Sequence, residues 1–208
     1  MERNFIIDCD PGIDDAQAIL IALAQKNINV LAITTVPGNC SSLQGFKNAK
    51  RILHVSNNER IPLYKGADYP LLIDRRQGTG HGYDGLGDYY KPEDDVKADT
   101  LPAAMALVEI AKRHKGNVEL ICLGPLTNIA LALHLDTEFP HYFKHLYIMG
   151  GNYKGIGNRT TAAEFNFHVD VEAAYIAMRQ MTTPTTLVGW EVCIENPISY
   201  DWYSNVLD

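Results

Sequence analysis

Residues 4–35 open Asn4-Phe5-Ile6-Ile7-Asp8-Cys9-Asp10-Pro11-Gly12-Ile13-Asp14-Asp15-Ala16 and close Val30-Leu31-Ala32-Ile33-Thr34-Thr35, with an amphipathic stretch between. Phe5-Ile6-Ile7 is the apolar core of a strand. Residues 14–25 carry Ile19, Leu20, Leu23 and Ala24 at helical spacing, and Val30 to Thr34 is a second strand. Working outward, the alternation continues. Ser41 or Ser42 is placed to cap a helix running through Lys50 and Leu53, and Ile61-Pro62-Leu63-Tyr64 reads as a short strand. Beyond residue 100 the pattern predicts helices over 101–114, 125–135 and 170–181, and strands over 118–123, 145–149 and 185–190. Strand and helix in strict alternation define an α/β fold, a mostly parallel central sheet with helices on both faces, Rossmann-like in kind. The stretch 68–99 breaks the rhythm. It is rich in glycine and charge, and reads as one long loop of the functional type.

The chain has 208 residues, 46% hydrophobic and 21% charged, with 25 acidic against 18 basic side chains and a formal net charge of -7. This is enough chain to bury a substantial core, and residues 1–208 are read as a single domain. The acidic balance argues against a nucleic-acid footprint. No apolar run of about eighteen residues occurs, so no membrane span is expected. The amino terminus lacks the apolar core of a secretory signal, giving a cytoplasmic expectation. Cys9, Cys40, Cys122 and Cys193 are too scattered for a disulfide scaffold, form no CxxC pair, and read as buried reduced thiols.

In such sheets ligands sit outside the carboxyl ends of the strands, so the residues just after each strand carry the information. After the first come four carboxylates, Asp8, Asp10, Asp14 and Asp15. Pro11-Gly12 forces a turn, and Asp14 and Asp15 open a helix whose dipole offsets part of their charge. Capping does not account for Asp8 and Asp10 at the end of a buried strand. Several carboxylate oxygens gathered together are what a hard divalent cation binds. After the second strand Asn39 follows Gly38, beside those carboxylates. After the strand at 118–123, Gly124-Pro125 leaves the Leu123 carbonyl open as an oxygen ligand. After 145–149 comes Gly150-Gly151, and then Asn158, Glu164 and Asn166, side chains that either grip hydroxyl groups or belong to a solvated loop.

Asp8-Cys9-Asp10-Pro11-Gly12-Ile13-Asp14-Asp15-Ala16 resembles the DxDPGxDDA signature of the nucleoside hydrolases. Val36-Pro37-Gly38-Asn39, His81-Gly82-Tyr83-Asp84-Gly85-Leu86-Gly87, Leu123-Gly124-Pro125-Leu126-Thr127-Asn128, Met149-Gly150-Gly151 and Ala163-Glu164-Phe165-Asn166 follow in the family's order. The resemblance implies the nucleoside hydrolase fold and hydrolysis of the N-glycosidic bond of ribonucleosides to free base and ribose, with a bound calcium ion (Ca2+). It implies Asp10, Asp15 and the backbone carbonyl of Leu123 as calcium ligands, with Asp10 also the general base. Asp14, Asn39, Asn158, Glu164 and Asn166 become substrate-binding residues. His81 becomes a candidate base-pocket residue in a loop resembling the family's flap near the base. A homo-oligomer, dimer or tetramer, is implied as well.

The chain also departs from the pattern. Asp170-Val171-Glu172-Ala173-Ala174 stands where the family has Asp-Pro-Glu-Ala-Ala, and Leu187-Val188-Gly189-Trp190-Glu191-Val192-Cys193 replaces a Pro-Leu-Asp-Val-Thr strand end. The family's histidine–aspartate pair, a leaving-group acid and a last calcium carboxylate, lies downstream of this strand, and Ile194 to Asp208 contains no histidine. The expectation is therefore a fold incomplete at its carboxyl end. The alternative to an enzyme is a truncated, non-catalytic relative that keeps part of the ribose and calcium site. A haloacid-dehalogenase-type phosphatase also opens on Asp-x-Asp, but Gly12 stands where that class needs threonine or valine.

Overall fold

The computed structural model describes residues 2–74, 80–88 and 101–207. The long loop assigned to 68–99 lies partly outside these. Strands β1 (Arg3–Cys9), β2 (Ile28–Thr35), β3 (Leu63–Lys65), β4 (Glu119–Cys122), β5 (His145–Met149) and β6 (Thr185–Val188) form one sheet in the order β3-β2-β1-β4-β5-β6. Every pairing is parallel. The order reverses at β1, which places its carboxyl end at the crevice such sheets use for ligands.

Helices α1 (Ile13–Ala24) and α2 (Ser42–Val55) cover one face, where Ile7 and Cys9 of β1 pack with Ile19, Ile33, Ala49 and Ile52. Helices α3 (Ala103–Arg113), α4 (Thr127–Leu135), α5 (Phe165–Val169) and α6 (Val171–Gln180) follow, with a 3-10 turn at Phe139–Tyr142. On the second face Ile6 packs with Leu107, Leu120, Ile129, Phe139, Leu146 and Ile148. The alternation of Ile6 and Ile7 between two layers is the period of a strand covered on both sides. Each such side chain contributes roughly 1.5–3 kcal/mol on burial. Helices α7 (Trp190–Glu195) and α8 (Tyr200–Leu207) close the chain, and α8 leaves Trp202, Tyr203 and Val206 exposed.

Local chemistry sets the boundaries. The Asp15 carboxylate accepts the Gly12 N–H at 3.0 Å and starts α1, while Ser41 Oγ accepts the Gln44 N–H at 3.2 Å and starts α2. The third strand begins at Leu63, because Pro62 offers only its carbonyl, which accepts the Ile33 N–H at 2.9 Å. Helix α4 starts at Thr127, so Pro125 precedes the helix and does not sit in its first turn.

The strand expected over 185–190 stops at Val188, and Trp190 begins a helix. Here tertiary bonds override the apolar run. The Trp190 N–H donates to Gly151 O at 3.0 Å, and the buried Glu191 carboxylate accepts the N–H groups of Tyr153 and Lys154 at 3.0 and 2.7 Å. Among the described residues no helix is long and apolar enough to cross a membrane.

Candidate active site

A cavity of about 500 Å³ opens at the carboxyl end of the sheet. Nine of the residues singled out from the sequence line it, Asp8 being the exception: Asp10, Asp14 and Asp15 after β1, Asn39 after β2, Leu123 after β4, Asn158, Glu164 and Asn166 after β5, and His81 from the long loop.

Asp10 lies just past the end of β1, 1% exposed, and Asn39 holds it twice. The Asn39 main-chain N–H donates to Asp10 Oδ2 at 2.9 Å, and its side-chain amide donates to the Asp10 carbonyl at 3.1 Å. Glycines permit this approach. A Cβ on Gly38 would stand 2.1 Å from Asp10 Oδ2, and one on Gly124 2.6 Å from Oδ1. Asp15 is equally buried. Its Oδ2 accepts the Gly12 N–H, and its Oδ1 has no hydrogen-bond partner among the described residues. Burial, with the neighbouring Asp15 carboxylate next, pushes the Asp10 carboxyl well above its ordinary range. Burial, with Asp14 next, raises Asp15 to about 7. Two dehydrated carboxylates that oppose each other's ionisation are strongly unfavourable without a compensating cation.

The donor set suits a hard divalent ion in part. Asp10, Asp15 and the Leu123 carbonyl line one cavity, and an orphaned carboxylate oxygen lies among them. Among the described residues no three His, Cys, Asp or Glu side chains group closely enough to hold an ion by themselves.

Asp8 does not belong to this set. Its Oδ1 accepts Thr34 Oγ1–H at 2.5 Å and the Asn128 amide at 2.8 Å, and it does not line the cavity. The earlier grouping of Asp8 with the cation carboxylates is corrected: β1 ends at Cys9, so Asp8 still follows the strand's alternation onto the α4 side while Asp10 does not. Burial raises Asp8 to about 7, opposed by the bonds from Thr34 and Asn128.

The far wall is organised by Glu164, which caps α5. Its Oε1 accepts the Asn166 N–H at 2.8 Å, and its Oε2 accepts those of Gly151 and Phe167 at 2.8 and 3.1 Å. The Asn166 amide donates to the Leu123 and Met149 carbonyls at 2.8 and 3.0 Å, tying β4 to β5. Asn158 Oδ1 accepts the Phe165 N–H at 2.8 Å. On the near rim the Ile13 N–H donates to His81 Nδ1 at 3.3 Å, and His81 Nε2 stands 3.6 Å from Asp14 Oδ1.

Several contributors stand in the quoted motifs, yet sequence alone assigns them no role in the site. Asn128 also donates to the Thr35 carbonyl at 2.9 Å and accepts the Ala67 N–H at 3.2 Å, binding β1, β2 and the segment after β3. Buried Asp170 accepts Thr127 Oγ1–H at 2.6 Å and the Leu71 N–H at 2.9 Å. Trp190 and Cys193 line the cavity from α7. Of the four cysteines expected to be buried, Cys9 and Cys122 are, Cys40 is partly so, and Cys193 is exposed because its segment is a short surface helix.

Fold and cavity together define a chain of the nucleoside hydrolase class. A solved inosine-guanosine nucleoside hydrolase superposes with a TM-score of 0.92 at 34% identity, covering 100% of this chain and 68% of the other. The sequence model of the inosine-uridine preferring nucleoside hydrolases matches residues 5–208, and the chain belongs to that family. It is 36% identical to uridine nucleosidase 1 of Arabidopsis thaliana over 201 residues, 96% of this chain and 60% of that protein. It is 37% identical to the inosine-uridine preferring nucleoside hydrolase of Leishmania major over 195 residues, 92% of this chain and 62% of that protein. The chain thus spans about three-fifths of the length of these relatives. Membership of this family sets aside the phosphatase alternative.

Proposed function

We propose that this chain hydrolyses the N-glycosidic bond of ribonucleosides, giving free base and ribose, with calcium held by Asp10, Asp15 and the Leu123 carbonyl. The observation that carries the reading is the convergence of nine sequence-selected residues on one cavity at the sheet's reversal point.

Calcium, when bound, neutralises the carboxylate pair, makes nearby water more acidic and favours vicinal hydroxyls as ligands. The remaining roles fall to the chain. Ionised Asp10 accepts a proton from the attacking water as the water oxygen bonds to the ribose anomeric carbon and the carbon–nitrogen bond breaks, its electron pair leaving with the base, which takes up a proton from solvent. Positive charge builds on the ribose in that transition state, and Asp14, Asp15 and Glu164 stabilise it.

The bonds already made define what each amide offers a ribose. Asn166 spends both N–H groups on main-chain carbonyls and presents Oδ1, while Asn158 spends Oδ1 on Phe165 and presents its N–H groups. Asn39 spends an N–H on Asp10 and presents Oδ1. His81, with Nδ1 accepting from Ile13, presents Nε2–H toward Asp14 and the base side.

Incubation of the chain with inosine or uridine and calcium tests the activity. Free base should accumulate, and Asp10→Asn should remove it. No release above that variant's background would leave a ribose- and cation-binding relative without turnover.

A further inference from the structure

We propose that Asn48, in the middle of α2, is a positioning residue that sets the His81 loop in register with the turn bearing the catalytic carboxylates. Asn48 is fully buried and its side chain is completely committed. One amide nitrogen donates to the Pro11 carbonyl at 3.1 Å and to the Asp84 carbonyl at 2.7 Å. Its Oδ1 accepts the Gln44 side-chain amide at 2.9 Å and the Arg51 guanidinium at 3.4 Å. Arg51 in turn lies 3.8 Å from Asp84.

The two carbonyls belong to the two halves of the near rim. Pro11 stands next to Asp10 and leads into Asp14 and Asp15. Asp84 sits in a loop that closes on itself: the Gly87 N–H donates to His81 O at 2.7 Å, and Asp84 Oδ1 accepts the Leu86 and Asp88 N–H groups at 2.7 and 2.9 Å. Gly85 holds φ at +81°, and a Cβ there would stand 3.1 Å from the Asn48 amide and 3.2 Å from Pro11 O, so the loop seats directly on the bridge. A primary amide gives two N–H donors from one uncharged nitrogen. Aspartate in its place sets an oxygen against both carbonyls, and leucine of similar shape leaves both unpaired. The coupling stands on geometry alone; its meaning for catalysis rests on the hydrolase reading above.

The test uses the full chain and the imidazole C–H resonances of its seven histidines, with His81 assigned through His81→Gln. Asn48→Leu and Asn48→Asp should shift the His81 resonance and leave the other six in place. Arg51→Met, a milder change at a partly exposed site, should shift it in the same direction by less. An unmoved His81 in a folded Asn48 variant, or all resonances moving together, overturns the proposal. If both Asn48 variants fail to fold, an unmoved His81 in Arg51→Met overturns it. Where base release is measurable, Asn48→Asp should lower kcat by about tenfold or more with a smaller change in KM, as misplacement of reacting groups does. A chain that releases no base removes the hydrolase reading and leaves the resonance result standing.

Discussion

Asn39 grips Asp10 at both ends of the residue, its main-chain N–H on the carboxylate at 2.9 Å and its side-chain amide on the carbonyl at 3.1 Å. The segments that follow two neighbouring strands are thereby locked together, and the carboxylate is held in one orientation. Asn39→Ala keeps the main-chain bond and loses the side-chain bond and one ribose acceptor. A single such bond is worth about 1 kcal/mol, so the melting midpoint should fall by only about 2–4 °C. Affinity for ribose should fall by about tenfold or more. Thermal melts and calorimetry check both, and unchanged affinity would remove Asn39 from the ligand site.

Gly38→Ala makes a sharper demand. Its Cβ would meet Asp10 Oδ2 at 2.1 Å, so the carboxylate must turn away. The expected variant folds, by far-ultraviolet circular dichroism, yet gains no thermal stability from calcium. A full calcium increment would show that Asp10 in this orientation is not a cation ligand.

Burial, and then Asp14, push the Asp15 carboxyl up to about 7 in the folded chain, from 3.8 for an ordinary aspartate. Between those values the folded chain binds more protons than the unfolded one, so stability falls as pH rises. Asp10, raised in the same direction, adds to the trend. In chelator the protein should melt higher at pH 5.5 than at pH 7.5, by a few degrees at about 2–4 °C per kcal/mol. Calcium binds the ionised carboxylates, so its increment should grow across the same window. Asp15→Asn should flatten the first effect and abolish the second. A pH-independent midpoint in chelator would mean the pair is not buried as described.

Much of this was legible in the chain. The strand–helix–strand pattern from Phe5 to Thr34 follows from apolar period alone, and the strand-end rule then pointed to Asp10, Asn39 and Leu123. What escaped depends on contacts distant in sequence. The strand read over 185–190 runs on to Trp190 because the apolar residues fit one, and the capture of Glu191 by Tyr153 and Lys154 makes Trp190 the start of a helix instead. Asp8 and Asp10 look equivalent on paper. They diverge because β1 ends between them and Thr34 and Asn128 claim the first. In sequence Glu164 reads as a possible hydroxyl partner, and its three main-chain N–H bonds show that it also builds the wall it stands in.

The central claim is that these strand ends form a cation-assisted ribose site, and titration of ribose into the chain by calorimetry tests it most directly. With calcium present the account predicts binding of one ribose per chain, lost in chelator, lost in Asp10→Asn, and much weaker for 2-deoxyribose. Binding that persists in chelator or in Asp10→Asn, or no binding with calcium present, would contradict it.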